Sequence, residues 1–329
     1  MQKITKDALI EKASALLENG TVTKVLGWKK GEFSYDVTPA VFTSAEEMKK
    51  DFVFDDFSGA NFSKYLLKET KNLEGKVLVF LKPCDTYSFN QLLTEHRFDR
   101  EKVYAVGIAC DGMIDINKIK QIAGDGILKV DTSADTIKVE TLYDGVKEIA
   151  KKDVLQERCA NCKSKKHVAY DELLGEEGEV IDSNRFDEVA RLEAMSADER
   201  FAFWQNELSK CIRCNACRDA CPACTCEKCV FDNPNSGVEN KSPANSFEEQ
   251  MFHIIRAFHV AGRCTDCGEC SRVCPQHIPL HLLNRKFIKD INEFYGDYQA
   301  GAEVGSRAPL VNYTKEDIEP SDAVRKGDK

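Results

Sequence analysis

Eleven of the chain's fifteen cysteines fall between residues 211 and 274. They open as Cys211-Ile212-Arg213-Cys214-Asn215-Ala216-Cys217-Arg218-Asp219-Ala220-Cys221-Pro222 and close as Cys264-Thr265-Asp266-Cys267-Gly268-Glu269-Cys270-Ser271-Arg272-Val273-Cys274-Pro275. Each is a full C-x2-C-x2-C-x3-C-P run, the spacing that binds [4Fe–4S] cubanes for one-electron chemistry. Three thiolates on one tight loop reach three irons, and the fourth cysteine, leaving on a helix, points at the other centre. This assigns Cys211, Cys214, Cys217 and Cys274 to one cluster and Cys264, Cys267, Cys270 and Cys221 to a second. The proline after each fourth cysteine turns the chain away and has no N–H to leave unpaired. Structural zinc also favours paired C-x2-C, but it takes four ligands per site and gives a repeated third cysteine no role.

The remaining thiols are less specific. Cys224, Cys226 and Cys229 extend the first run as Cys221-Pro222-Ala223-Cys224-Thr225-Cys226-Glu227-Lys228-Cys229. They either ligate a further centre or substitute for a neighbouring ligand. Cys84, Cys110, Cys159 and Cys162 are the only cysteines of the first 180 residues, and four is the number a cubane requires. The alternative is two core thiols with a zinc half-site or redox pair at Cys159 and Cys162; spacing alone leaves this open. Lys163, Lys165, Lys166 and His167 form a basic stretch, either a solvated face or an anion site for a flavin phosphate or an acidic partner. The lone histidines His253, His259, His277 and His281 read as surface or satisfied helix residues, since imidazole is the minority ligand of iron–sulfur centres.

The elements that must position these groups divide into two textures. Thr5 begins a capped helix that ends near Gly20, short strands and turns fill 25–62 (Phe52-Val53-Phe54 among them), and a helix starts at Asn61. Val77–Leu81 and Val103–Ile108 are apolar strands joined by a helix over 86–94. That crossover puts parallel neighbours side by side, with Cys84 and Cys110 at the carboxyl edge where α/β folds place ligands. A helix over 114–122 and strands near 127–130 and 137–142 continue the pattern. Beyond residue 180 the chain is helical: connectors over 185–195 and 198–208, a helix opened by Ser246 with Glu249 three residues on, and another from Pro279 to Gly296. The expected architecture is an α/β (α+β) domain with a short parallel sheet over 1–180 and a helical connector over 181–207. An α-helical ferredoxin-like dicluster domain over 208–296 and a polar tail over 297–329 follow.

Bulk properties narrow the function classes. A length of 329 residues suits about two domains. With 42% hydrophobic and 31% charged residues the chain reads as globular, and no apolar run is long enough to span a bilayer. A net charge of −9 argues against nucleic acid, which needs a basic face. Met1-Gln2-Lys3-Ile4-Thr5-Lys6 leads into a helix without an export signal, so a reducing cytoplasm and free thiols are expected.

Lys82-Pro83-Cys84-Asp85, Gly107-Ile108-Ala109-Cys110, Cys159-x-x-Cys162 and Ala169-Tyr170-Asp171-x-Leu173-Leu174-Gly175 resemble the β subunits of coenzyme-reducing hydrogenases and formate dehydrogenases. The stretch from Lys210 through Phe258-His259-Val260-Ala261-Gly262-Arg263 to Cys270 is similar to dicluster electron-transfer subunits of heterodisulfide-reductase-like complexes. The first resemblance implies a third [4Fe–4S] cluster on Cys84, Cys110, Cys159 and Cys162, and FAD in the α/β domain. The position of the cysteine runs departs from deazaflavin-reducing members, so deazaflavin chemistry is not carried over, and no G-x-G-x-x-G fingerprint marks a dinucleotide site. The expected role is electron transfer within a hetero-oligomeric oxidoreductase complex, with substrate chemistry on protein partners. The alternative is an FAD subunit exchanging hydride with a nicotinamide or deazaflavin coenzyme.

Overall fold

The computed structural model describes residues 4–232 and 246–309, the side chains of 246–249 excepted. Helix α1 (Lys6–Glu18) starts where the Thr5 hydroxyl accepts from the Ala8 N–H at 3.3 Å, and it buries Leu9, Ala13 and Leu16. Strand β1 (Lys24–Lys30) pairs antiparallel with β2 (Val37–Phe42). Helix α2 (Ala45–Asp51) follows, capped by Ser44, with acids in its first turn and lysines in its last. The expected strand at 52–54 is only a single bridge from Phe52 to Lys29, because α2 delivers the chain there. The helix expected from Asn61 is broken into a 3₁₀ turn and one α turn, α3 (Leu66–Glu69).

Strand β3 (Val77–Leu81) is wholly buried and lies parallel to β4 (Val103–Ile108), in register from Val77 opposite Val103 to Leu81 opposite Gly107. The helix between them, α4 (Pro83–Thr94), begins earlier than expected. Proline suits the first helical position, and Asp85 accepts from the Lys82 N–H, which puts Cys84 in the first turn. Helix α5 (Ile116–Ala123) precedes β5 (Ile127–Asp131), β6 (Thr136–Thr141) and β7 (Gly145–Ala150). These do not continue the parallel pattern. They form a separate antiparallel sheet, since the short links 132–135 and 142–144 cannot carry a crossover. After α6 (Glu157–Ala160), β8 (Glu172–Leu174) joins β4 in parallel, completing the order β2-β1-β3-β4-β8. Trp28 centres the core among Phe52, Phe54, Phe62 and Phe80.

The second half is helical: α7 (Asp187–Glu193), α8 (Ala197–Ser209), α9 (Ala216–Asp219), α10 (Ser246–Val260), α11 (Glu269–Arg272) and α12 (Leu280–Tyr295). A reciprocal Ser196–Glu199 box opens α8. Helix α10 packs on α8 and α12, and the short α9 and α11 pack on each other. Leu208, Phe231, Phe252, Ile278 and Leu280 share one core with Cys217, Cys270 and Cys274. The expected Ser246–Glu249 capping contact and the tail from residue 310 lie outside the described residues.

Candidate metal centres

The two cysteine runs fold into matching loops. Arg213 and Asn215 have φ of 53° and 62°, and their counterparts Asp266 and Gly268 have 57° and 68°. A left-handed residue on each side of the second cysteine curls the backbone around the thiols and turns N–H groups inward, a concavity suited to an anionic centre. The Arg213 N–H accordingly lies 3.4 Å from Cys211 Sγ. The third cysteine of each run sits in α9 or α11, and Cys221 and Cys274 lie just past those helices. Burial raises the Cys264 and Cys267 thiols and pushes Cys270 up to about 12, and each is raised further by Cys221. Cys217 is raised by burial and then by Cys274, Cys221 and Cys214. The fourth thiol of each run thus stands among thiols of the other. Metal binding would deprotonate these groups, so each raised thiol adds a proton cost that the metal–thiolate bonds must offset.

Buried cations surround the runs. Arg256 on α10 is 4% exposed and donates to the Cys217 carbonyl at 3.1 Å. Its charge acts on Cys217, Cys221, Cys270 and Cys224. His253 Nε2 lies 3.2 Å from Cys211 Sγ, and burial lowers its pKa to about 3, so the ring is neutral and can donate to a thiolate. Among the described residues no group of three or more His, Cys, Asp or Glu is placed to hold a single metal ion. Cubane ligation instead spreads four thiolates over different irons.

Cys84 and Cys110 follow the ends of the neighbouring strands β3 and β4, and Cys159 and Cys162 lie in and after α6. Cys110 is pushed up to about 12 by burial and next by Cys159; Cys84 is raised by burial, Asp85 and Cys110; Cys162 by burial and Cys159. The Met113 N–H also reaches Cys159 Sγ at 3.3 Å. The four thiols therefore form one electrostatic neighbourhood. Lys82, 1% exposed, stands beside it, 2.8 Å from Asp85 and 2.9 Å from the Ala60 carbonyl.

Arg158 joins this neighbourhood to the second run. Its guanidinium donates to the Cys267 carbonyl and Glu269 Oε1, each at 2.7 Å, to Gln156 Oε1 at 2.9 Å, and to the Gly59 carbonyl at 2.5 Å. Ser88 and Thr265 share a buried hydroxyl contact of 2.8 Å across the same boundary. Lys163 turns into this boundary too, donating to the Thr265 carbonyl and lying 4.2 Å from the Tyr87 ring centre; burial lowers its pKa to about 8. Lys165 faces Asp111 at 3.7 Å and Lys166 is exposed, so the basic stretch does not present one face. Cys224 hydrogen-bonds Cys221, and with Cys226 and Cys229 it lines a separate cavity. Sequence reasoning missed Arg158, Arg256 and the His253 contact. The signal available for Arg158 was a charged residue directly before Cys159.

Residues 207–278 match the 4Fe–4S dicluster domain family. The chain is similar to the F420-dependent formate dehydrogenase subunit beta of Methanocaldococcus jannaschii, at 24% identity over 90% of this chain and 92% of that protein. The F420-dependent formate dehydrogenase 1 subunit beta of Methanococcus maripaludis is 23% identical over 89% and 92%. The succinate dehydrogenase iron–sulfur subunit of Bacillus subtilis is 29% identical over 27% of this chain and 37% of its own length. Among solved structures, a chain of the F420-reducing [NiFe] hydrogenase complex from Methanosarcina barkeri aligns with 64% of this chain and 91% of its own, at 14% identity and a TM-score of 0.37.

Proposed function

We propose that this chain passes single electrons between partner subunits of a formate-dehydrogenase-like or hydrogenase-like complex through three [4Fe–4S] centres. At the coarser level the chain is an iron–sulfur electron-transfer subunit of an oxidoreductase complex, on the strength of its dicluster domain and its likeness to formate dehydrogenase β subunits. The finer assignment gives Cys211, Cys214, Cys217 and Cys274 to one centre and Cys264, Cys267, Cys270 and Cys221 to the next. Cys84, Cys110, Cys159 and Cys162 hold the third. What carries the reading is that the Cys221 thiol acts on Cys264, Cys267 and Cys270, the neighbourhood that crossed ligation requires.

Bound clusters would supply one-electron chemistry. The deprotonated thiols would hold the irons, and the buried Arg256 and Arg158 would offset negative charge in a medium of low dielectric. The test is Cys221→Ser in anaerobically purified protein. It should alter the EPR signal of the centre ligated by Cys264, Cys267 and Cys270. A change confined to the Cys211–Cys217 centre rejects crossed ligation, and one zinc per four cysteines with little iron rejects the function.

A second reading draws on the relatives named for F420. Their likeness spans both halves of this chain, so the departure noted in the cysteine runs no longer sets deazaflavin chemistry aside. In that reading FAD held in the α/β domain would supply hydride exchange with the coenzyme. Flavin released on acid precipitation would support it, and its absence would leave electron transfer alone.

A further inference from the structure

The three thiols that follow the first run do not stay together. Cys226 is exposed, and Cys229 packs against the core that holds Leu208, Phe231 and Phe252. Cys224 turns back to the run itself. Its N–H donates to the Cys221 carbonyl at 3.1 Å, closing a tight turn over Pro222 and Ala223, and its thiol hydrogen-bonds the Cys221 thiol. Proline suits the second position of such a turn. Packing holds the arrangement: Cys221, Ala223 and Val260 are buried together, with Cys224 and Cys264 against them. The charge of Arg256 acts on both thiols of the turn, as do those of Lys64 and Arg263. The neighbourhood of the second run thus holds five thiols, Cys264, Cys267, Cys270, Cys221 and Cys224. A cubane presents four irons and takes four thiolates. The fifth thiol has no iron left to bind and keeps its hydrogen. Between the two bonded sulfurs, Cys224 is therefore the donor and the Cys221 thiolate the acceptor.

We propose that Cys224 is a positioning residue of the second centre: its S–H donates to the Cys221 thiolate and raises the reduction potential of the cluster which that thiolate ligates. The inference rests on the crossed ligation proposed above. Hydrogen bonds to cluster sulfurs are among the levers that set such potentials. Reduction adds negative charge, and a hydrogen bond to an ionised acceptor strengthens with that charge, so the reduced form gains more from it. The sign of the effect separates it from a change in packing. Cys224 borders a cavity, and a looser side chain there would bring water nearer the cluster. Water also stabilises the reduced charge, so that change raises the potential, whereas loss of the donated bond lowers it.

The experiment is an EPR-monitored redox titration of anaerobic, full-length holoprotein, with iron counted in every sample. Cys224→Val removes the donor and fills its space, Cys224→Ser keeps a hydroxyl donor, and Cys226→Ala, at an exposed thiol, is the control. The signal that Cys221→Ser alters identifies the second centre. Iron should be unchanged in the two Cys224 variants and the control. The midpoint potential of the second centre should fall in Cys224→Val, stay near the wild-type value in Cys224→Ser and not move in Cys226→Ala. That of the first centre should stay constant throughout. The proposal is overturned if the potential does not fall in Cys224→Val, or if it falls equally in Cys224→Ser. Iron lost from Cys224→Val would make Cys224 a ligand and overturn it too. A wild type without cubane signals rejects the function proposed above and this inference with it. A wild type with both signals and no shift in Cys224→Val rejects this inference alone.

Discussion

Arg158 carries the largest single-residue expectation. It and Glu269 form an ion pair at 2.7 Å with side chains 5% and 2% exposed, and among the described residues Arg272 is the carboxylate's other cationic hydrogen-bond partner. Removing one member of a buried pair costs about 3–5 kcal/mol when the other is left uncompensated; Arg272 still holds Glu269 here, so the loss falls below that range. Arg158→Gln should lower the urea midpoint of anaerobic holoprotein accordingly, with Arg158→Lys partly restoring it. A midpoint unchanged in Arg158→Gln would mean that the pair contributes nothing net. His281 gives a pH expectation. Burial lowers its pKa, outweighing attraction to Glu157 and Asp266 and reinforced by Arg285. A depressed folded pKa means that stability is fully present above the unfolded value, about 6.5, and is lost as pH falls below it. Between pH 8 and 6 the urea midpoint of the wild type should fall, and that of His281→Asn should fall less. Parallel slopes would count against the imidazole.

The matching loops of the two runs differ at one informative position. Asn215 and Gly268 share a left-handed conformation, which both residue types tolerate. Their surroundings do not match, because a Cβ on Gly268 would lie 2.9 Å from the Arg158 side chain. Asn215→Gly should therefore shift stability by less than about 1 kcal/mol. Gly268→Asn should displace Arg158 and lower the iron bound by the Cys264–Cys270 loop. Iron content and urea unfolding of the two variants separate backbone strain from side-chain conflict: equal losses would point to the backbone.

Across the whole molecule, the cysteines of the α/β half and the dicluster half meet through Arg158, Lys163 and the Ser88–Thr265 contact. A third centre at that boundary would give the chain one continuous line of redox sites. Full-length protein should then hold about twelve irons, four for each cubane. Cys84→Ser/Cys110→Ser should remove about four while leaving the EPR signals of the dicluster half in place. Eight irons in both proteins would make Cys84 and Cys110 core thiols.

The cysteine runs were legible without a structure because their spacing is local: two x2 intervals fix which three thiols one loop can present, and both loops fold with matching left-handed residues. The parallel pair β3 and β4 was legible for the same reason, since a buried apolar run, a helix and a second run have few ways to pack. The antiparallel sheet of β5, β6 and β7 was not, because short apolar stretches do not declare their pairing partners. Nor were the buried charges. Arg158 lies 111 residues from Glu269, and Lys163 lies 102 from Thr265. A charge can be buried only when its partners are already assembled around it, and only the tertiary structure decides that.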